Sequence, residues 1–242
     1  MINVTRMNWD SNFWGVNIYN AIKCYENSNY NKMVFDMEFN STPFIVQALT
    51  RDKDIKYINF LEEVGFRFIE SKVNLVKRVQ KISDIFENDL FKNVKSEELI
   101  KYRNQFYNLY GEVSRFSFLP KEKVNEFYYK WVAKSIKGEL DDNCIGYYVD
   151  SGLGGFVTYK IIEQKLVIGL VGVFPEYQGK KISQKLLYYI QNVAIKNNCS
   201  EICVSTQGKN IKAINAYIKS GFFIEDINHW YYLKHYGIKS RE

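Results

Sequence analysis

The 242-residue sequence predicts an α+β chain built on a central mixed, mostly antiparallel sheet flanked by helices. Three observations predict it. Segments Cys144 to Val149, Gly154 to Ile162 and Lys165 to Phe174 read as consecutive strands, the first two separated by the turn-rich Asp150-Ser151-Gly152, which suggests an antiparallel meander. Apolar residues at helical spacing lie on both sides of that meander in the chain. A unit of strand, loop, helix, Gly-Phe and strand occurs twice. With 46% hydrophobic and 17% aromatic residues the chain has ample material for a packed core.

Taken in order, Val73, Leu75, Lys77 and Val79 alternate as a strand, and the polar, charged stretch from Gln80 to Glu98 then marks a junction. An N-terminal α/β domain over residues 1–90 and a second domain over 91–242 are therefore expected. The prolines, Pro43, Pro120 and Pro175, stand at element boundaries. Val124, Phe127, Tyr128, Trp131, Val132 and Ile136 define one face of a helix, which should be buried. After the meander, Ile182, Leu186, Leu187, Ile190, Val193 and Ala194 define a second amphipathic helix. A strand at Glu201 to Ser205, a helix from Asn210, and two strands around Phe222 to Ile224 and His229 to Leu233 complete the reading.

The repeat has an offset of 156 residues. Thr50, Lys53, Ile55, Lys56, Ile58, Asn59, Gly65 and Phe66 match Thr206, Lys209, Ile211, Lys212, Ile214, Asn215, Gly221 and Phe222 without a gap. In the first copy Asp54 stands for Asn210 and Leu61 for Tyr217, so that copy is expected to be chemically silent.

A net charge of +6 is too mild to imply nucleic acid and suits phosphorylated ligands. Cys24, Cys144, Cys199 and Cys203 lack the spacing of a zinc site or a disulfide scaffold, so reduced thiols and no metal are expected. The first dozen residues contain no apolar signal core, and no run approaches the ~20 apolar residues of a membrane span. A cytoplasmic protein without a membrane partner follows as an expectation.

The chemistry concentrates between Val171 and Phe222. Pro175-Glu176-Tyr177-Gln178-Gly179-Lys180-Lys181-Ile182-Ser183 places a turn before a helix, where converging N–H groups and the helix dipole favour phosphate. Lys180 and Lys181 add charge there, and Ser183 adds a donor. Asn210, Ala213 and Tyr217 follow at offsets 0, 3 and 7, which puts Asn210 and Tyr217 on one side about 10 Å apart, within reach of one extended ligand. The loop and the helix together resemble the GCN5-related N-acetyltransferase (GNAT) family. That resemblance implies the GNAT fold, preceded by a smaller degenerate GNAT-like domain, and acetyl-CoA as co-substrate. Gln178 and Gly179 match the family loop, whereas Lys181 and Ser183 replace its later small residues. By resemblance, Val171 to Val173 pair their backbone with the pantetheine arm, an amide near Val171 faces the thioester carbonyl, Asn210 contacts the arm, and Tyr217 protonates the departing thiolate. His229 and His235 are not assigned as bases, and water-relayed deprotonation is retained.

Two further segments, Trp9-Asp10-Ser11-Asn12-Phe13-Trp14-Gly15 and Ser114-Arg115-Phe116 with Pro120, Lys123, Tyr129, Trp131 and Ser135, are similar to sugar-amine acetyltransferases within that family. This likeness implies a nucleotide-linked amino-deoxy sugar as acceptor, with Arg115 and Trp14 as substrate contacts, and leaves room for a homodimer. Acetylation of a protein amino terminus or a polyamine is the first alternative. A noncatalytic acyl-CoA-binding module is the second.

Overall fold

The computed structural model describes residues 3–22, 43–79, 89–112, 114–149 and 152–235. Cys24, Asp150, Ser151 and the first part of the Gln80 to Glu98 stretch lie outside those residues. The chain forms two compact units, one of residues 1–72 with 227–242 and one of residues 73–226. The sequence places a junction near residue 90 instead. The division falls inside a strand because β4 (Arg67–Arg78) and β10 (Phe223–His235) each contribute one part to each unit. A continuous alternation cannot reveal where its neighbours change.

In the first unit, β1 (Asn3–Arg6) pairs antiparallel with β2 (Asn17–Ile22), which runs parallel to β3 (Phe44–Arg51), itself antiparallel to β10. Helix α1 (Asn8–Trp14) joins β1 to β2, and α2 (Ile55–Glu63) follows β3. Val46, Ala48, Tyr57, Leu61 and Phe66 close its core.

The second unit carries the strand order β4-β9-β8-β7-β6-β5, with β5 at Phe91–Asn93, β6 at Asn143–Val149, β7 at Gly152–Ile162, β8 at Lys165–Val173 and β9 at Glu201–Gln207. The pairs from β5 to β8 are antiparallel, so the meander forms as expected, and β8–β9 is parallel. Short helices α3 (Ser96–Lys101) and α4 (Arg103–Tyr107) precede α5 (Lys121–Ile136), which buries Val124, Phe127, Tyr128 and Val132. Helix α6 (Ile182–Lys196) packs Leu186, Leu187 and Ile190 into a core shared with Leu166, Ile202, Tyr217 and Phe222. Helix α7 (Ile211–Lys219) follows β9. Among the described residues no helix is long and apolar enough to cross a membrane.

The two strands expected around Phe222 to Ile224 and His229 to Leu233 are one, β10. Polar Asp226 lies within it, and its carboxylate accepts a hydrogen bond from the Asn74 amide of β4. The 156-residue repeat is structural as well as sequential. Helices α2 and α7 begin and end at matching positions, and both close in the same turn. Gly65 (φ 93°) donates to Glu62 and Phe66 to Leu61, as Gly221 (φ 85°) donates to Ile218 and Phe222 to Tyr217. This paired bonding of the last carbonyls requires a left-handed residue, which glycine supplies without steric cost.

Candidate active site

The site begins with a bulge. Tyr159 pairs with Ile168 and Val157 with Val171, so Gly169 and Leu170 together face Thr158. Such an insertion bends a strand. Leu170 N–H donates to Thr158 Oγ1 at 2.9 Å. Gly169 leaves no room for a Cβ, which would collide with the Asp141 carboxylate and the Thr158 hydroxyl. Asp141 is buried and fixed from α5, accepting from Trp131 Nε1 at 3.0 Å and Ser135 Oγ at 2.9 Å.

On its other side β8 pairs with β9 from Lys165–Glu201 only as far as Ile168–Val204. Beyond that point β8 runs on to Val173 without a ladder to β9. The strands part, and the opening is a cleft of about 410 Å³. Val171, Gly172 and Val173 line one wall, Asn210, Ala213, Ala216 and Tyr217 another, and Gln178, Gly179, Lys181, Ile182 and Ser183 the end.

The loop at that end is built by two left-handed residues. After a 3₁₀ turn at Pro175–Tyr177, Gly179 has φ 80° and Lys181 φ 59°, and α6 starts at Ile182. Gln178 Nε2 donates to the Val173 carbonyl at 3.4 Å, tying the loop to the end of β8. The open first turn of α6 offers unbonded N–H groups and a positive dipole end to the cleft. Lys181 and Lys212 line the cleft, and no carboxylate does among the described residues. This combination suits a phosphorylated, extended ligand.

Asn210 is the cap of α7 rather than its first turn. Its Oδ1 accepts from Ala213 N–H and its Nδ2 donates to Thr206 Oγ1, both at 3.3 Å. Tyr217 is buried, with its ring 5.6 Å from that of Phe222, and burial pushes its phenol well above the ordinary value. It therefore stays a proton donor at any physiological pH.

The remaining expected residues lie elsewhere. Lys180 does not line the cleft, and its ammonium sits 5.0 Å over the Tyr177 ring. The Arg115 guanidinium lies 4.3 Å over Phe116. Trp14 is a buried residue of the first unit. His229 meets Ser71 Oγ at 3.1 Å and His235 stacks on Phe44, all within the first unit. Leu109 and Tyr110 line the cleft without having been singled out in the sequence, and so does Lys212, named there only as a member of the repeat. The first two follow α4 in an irregular segment whose position no periodicity encodes. A larger cavity of about 940 Å³ shares Lys181 but contains none of Asn210, Tyr217 or the free end of β8.

The profile of the Acetyltransferase (GNAT) family matches residues 103–222, the stretch that supplies the bulged strand, the loop and α7. Residues 103–222 form a GNAT acetyltransferase domain. Acetyl-CoA-dependent N-acetyl transfer follows from that membership. The dTDP-fucosamine acetyltransferase of Escherichia coli O6:H1 is 25% identical over 190 residues, 77% of this chain and 80% of that protein. The spermidine N(1)-acetyltransferase of Thermoplasma acidophilum is 32% identical over 90 residues, 37% of this chain and 56% of that enzyme. A GCN5-related N-acetyltransferase from Sphaerobacter thermophilus superposes with a TM-score of 0.59 at 15% identity, over 81% of this chain and 62% of that one. The chain spans under two thirds of that structure, with which it shares the fold.

Proposed function

We propose that this GNAT chain transfers the acetyl group of acetyl-CoA to the amine of a nucleotide-linked amino-deoxy sugar of the TDP-4-amino-4,6-dideoxyhexose type, in the cytoplasm. The observation that carries the transfer is the parting of β8 from β9 beyond Ile168, with Asn210 and Tyr217 facing the same opening. The sugar acceptor rests on the likeness to the dTDP-fucosamine enzyme across most of both chains.

In this reading the free edge of β8 receives the pantetheine arm as an added strand, and Asn210 bonds it from the other wall. Gly179, Lys181 and the first turn of α6 hold the diphosphate. Acetyl-CoA supplies an acyl group on a good leaving thiol. The neutral amine nitrogen forms a bond to the acyl carbon, the carbon–sulfur bond breaks, and Tyr217 gives its proton to the sulfur. The surplus proton of the new amide nitrogen returns to the phenol through water. A backbone N–H near Val171 stabilises the negative charge on the acyl oxygen. Arg115 remains a proposed acceptor contact. Holding both substrates in one cleft supplies much of the acceleration.

The stretch similar to a spermidine acetyltransferase supports a second reading, a polyamine acceptor. Incubation with acetyl-CoA and a panel of nucleotide amino sugars, polyamines and peptides, followed by thiol release, tests both. Turnover with the nucleotide sugars above the others is expected. Preference for spermidine selects the second reading, and absence of thiol release with every amine rejects catalysis.

A further inference from the structure

Tyr110 lies between α4 and α5 and lines the cleft beside Val171, Gly172 and Tyr217. Two contacts with α5 fix it. Its ring packs 4.9 Å from that of Tyr128, and the next residue, Gly111, approaches Asn125 so closely that a Cβ there would collide with the amide oxygen. The Tyr110 hydroxyl is shielded from water and has no hydrogen-bond partner among the described residues. Folded proteins satisfy nearly all such groups, and a rigidly held hydroxyl left without an acceptor costs stability unless something else provides one.

We propose that the Tyr110 hydroxyl donates a hydrogen bond to the acyl oxygen of bound acetyl-CoA, as a side-chain companion to the backbone N–H near Val171. The inference rests on the reading that the cleft takes acetyl-CoA. The choice of atom follows from chemistry. Burial raises the Tyr110 phenol well above its ordinary value, so the group is a donor that needs an acceptor. The sulfur end is already served by Tyr217, and the attacking amine must give up a proton rather than accept one. The acyl oxygen is the acceptor that gains charge as the reaction proceeds, which makes a fixed donor there more valuable in the transition state than in the ground state.

The test uses calorimetry with acetyl-CoA and with S-ethyl-CoA, a thioether of the same shape that lacks the acyl oxygen. The unaltered protein should prefer acetyl-CoA. Tyr110→Phe should lower that preference by about three- to tenfold, the range of one net hydrogen bond, since the backbone N–H near Val171 remains, and should leave S-ethyl-CoA affinity unchanged and melt no lower than the unaltered protein because it loses an unsatisfied hydroxyl. Turnover should fall on the order of 100-fold, as for other oxyanion donors. Tyr128→Phe, which keeps the supporting ring and removes only a hydroxyl bonded to Ser114 outside the cleft, should keep the preference. An unchanged preference in Tyr110→Phe overturns the inference, as does an equal drop in Tyr128→Phe. Failure of the unaltered protein to bind either compound overturns the acetyl-CoA reading itself.

Discussion

Asn210 and Tyr217 bracket helix α7, and each does two jobs at once: the amide caps the helix and lines the cleft, while the phenol packs on Phe222 and lines it too. Their spacing was legible because a seven-residue step returns a helix to the same side. Tyr217→Phe keeps the ring in the core and removes only the proposed acid. Turnover should fall about 100-fold or more, with acetyl-CoA affinity nearly unchanged, in steady-state kinetics paired with calorimetry. Equal turnover would remove Tyr217 from the reaction. Lys181 illustrates the opposite case, since the sequence shows a lysine where the family loop has a small residue but not what the backbone does there. The structure holds it at φ 59°, a conformation that costs a side-chain-bearing residue about 1–2 kcal/mol. Lys181→Gly should therefore hold or raise stability, by up to about 1 kcal/mol in urea denaturation. Its affinity for acetyl-CoA should drop several-fold as a cation leaves the phosphate end.

The elements that make the cleft are β8 and its two neighbours. Gly169 sits in the bulge because Asp141, held by Trp131 and Ser135, occupies the space a side chain would need. The sequence offered Trp131 as part of a helix face and, with Ser135, as part of a likeness to sugar-amine enzymes. That both residues reach one carboxylate behind the bulge becomes visible only once α5 lies against the meander. Gly169→Ala forces a methyl group against that carboxylate and should cost about 1–3 kcal/mol in thermal or chemical unfolding. Because the same residues shape the opening, acetyl-CoA affinity should fall with it. A variant of unchanged stability and affinity would show that the bulge does not depend on this packing. Element types were legible from α5 to α7 because their hydrophobic periods are clean, whereas β5, α3 and α4 were not read from the sequence. The continuity of β10 was not legible, because a polar residue bonded across to β4 is indistinguishable in sequence from one in a turn.

At the scale of the whole molecule, burial raises the pKa values of tyrosines in both units: Tyr110, Tyr148, Tyr159 and Tyr217 in the second, Tyr231 in the first, with Tyr159 pushed up to about 12. A phenol with a folded value above its unfolded value of ~10 contributes its full share of stability below pH 10. That share is lost as pH rises from there through the folded value, because the unfolded chain releases protons first. Urea midpoints should accordingly be flat in this respect up to about pH 10 and fall above it. Tyr217→Phe should flatten the fall, and midpoints that hold steady to pH 12 would contradict it.

The sequence by itself determined the class of fold, the order of the elements around the meander, the repeat at 156 residues and the residue types of the loop and of α7, since each is written in local spacing and in residue type. Only the tertiary structure decided that the units divide inside β4, that β8 leaves β9 after Ile168, that Lys181 is left-handed, that Lys180 and Arg115 stay out of the cleft, and that Tyr110 enters it. These depend on contacts between residues distant in the chain, and a pattern of nearest neighbours carries no record of which distant side chain will fill a given space.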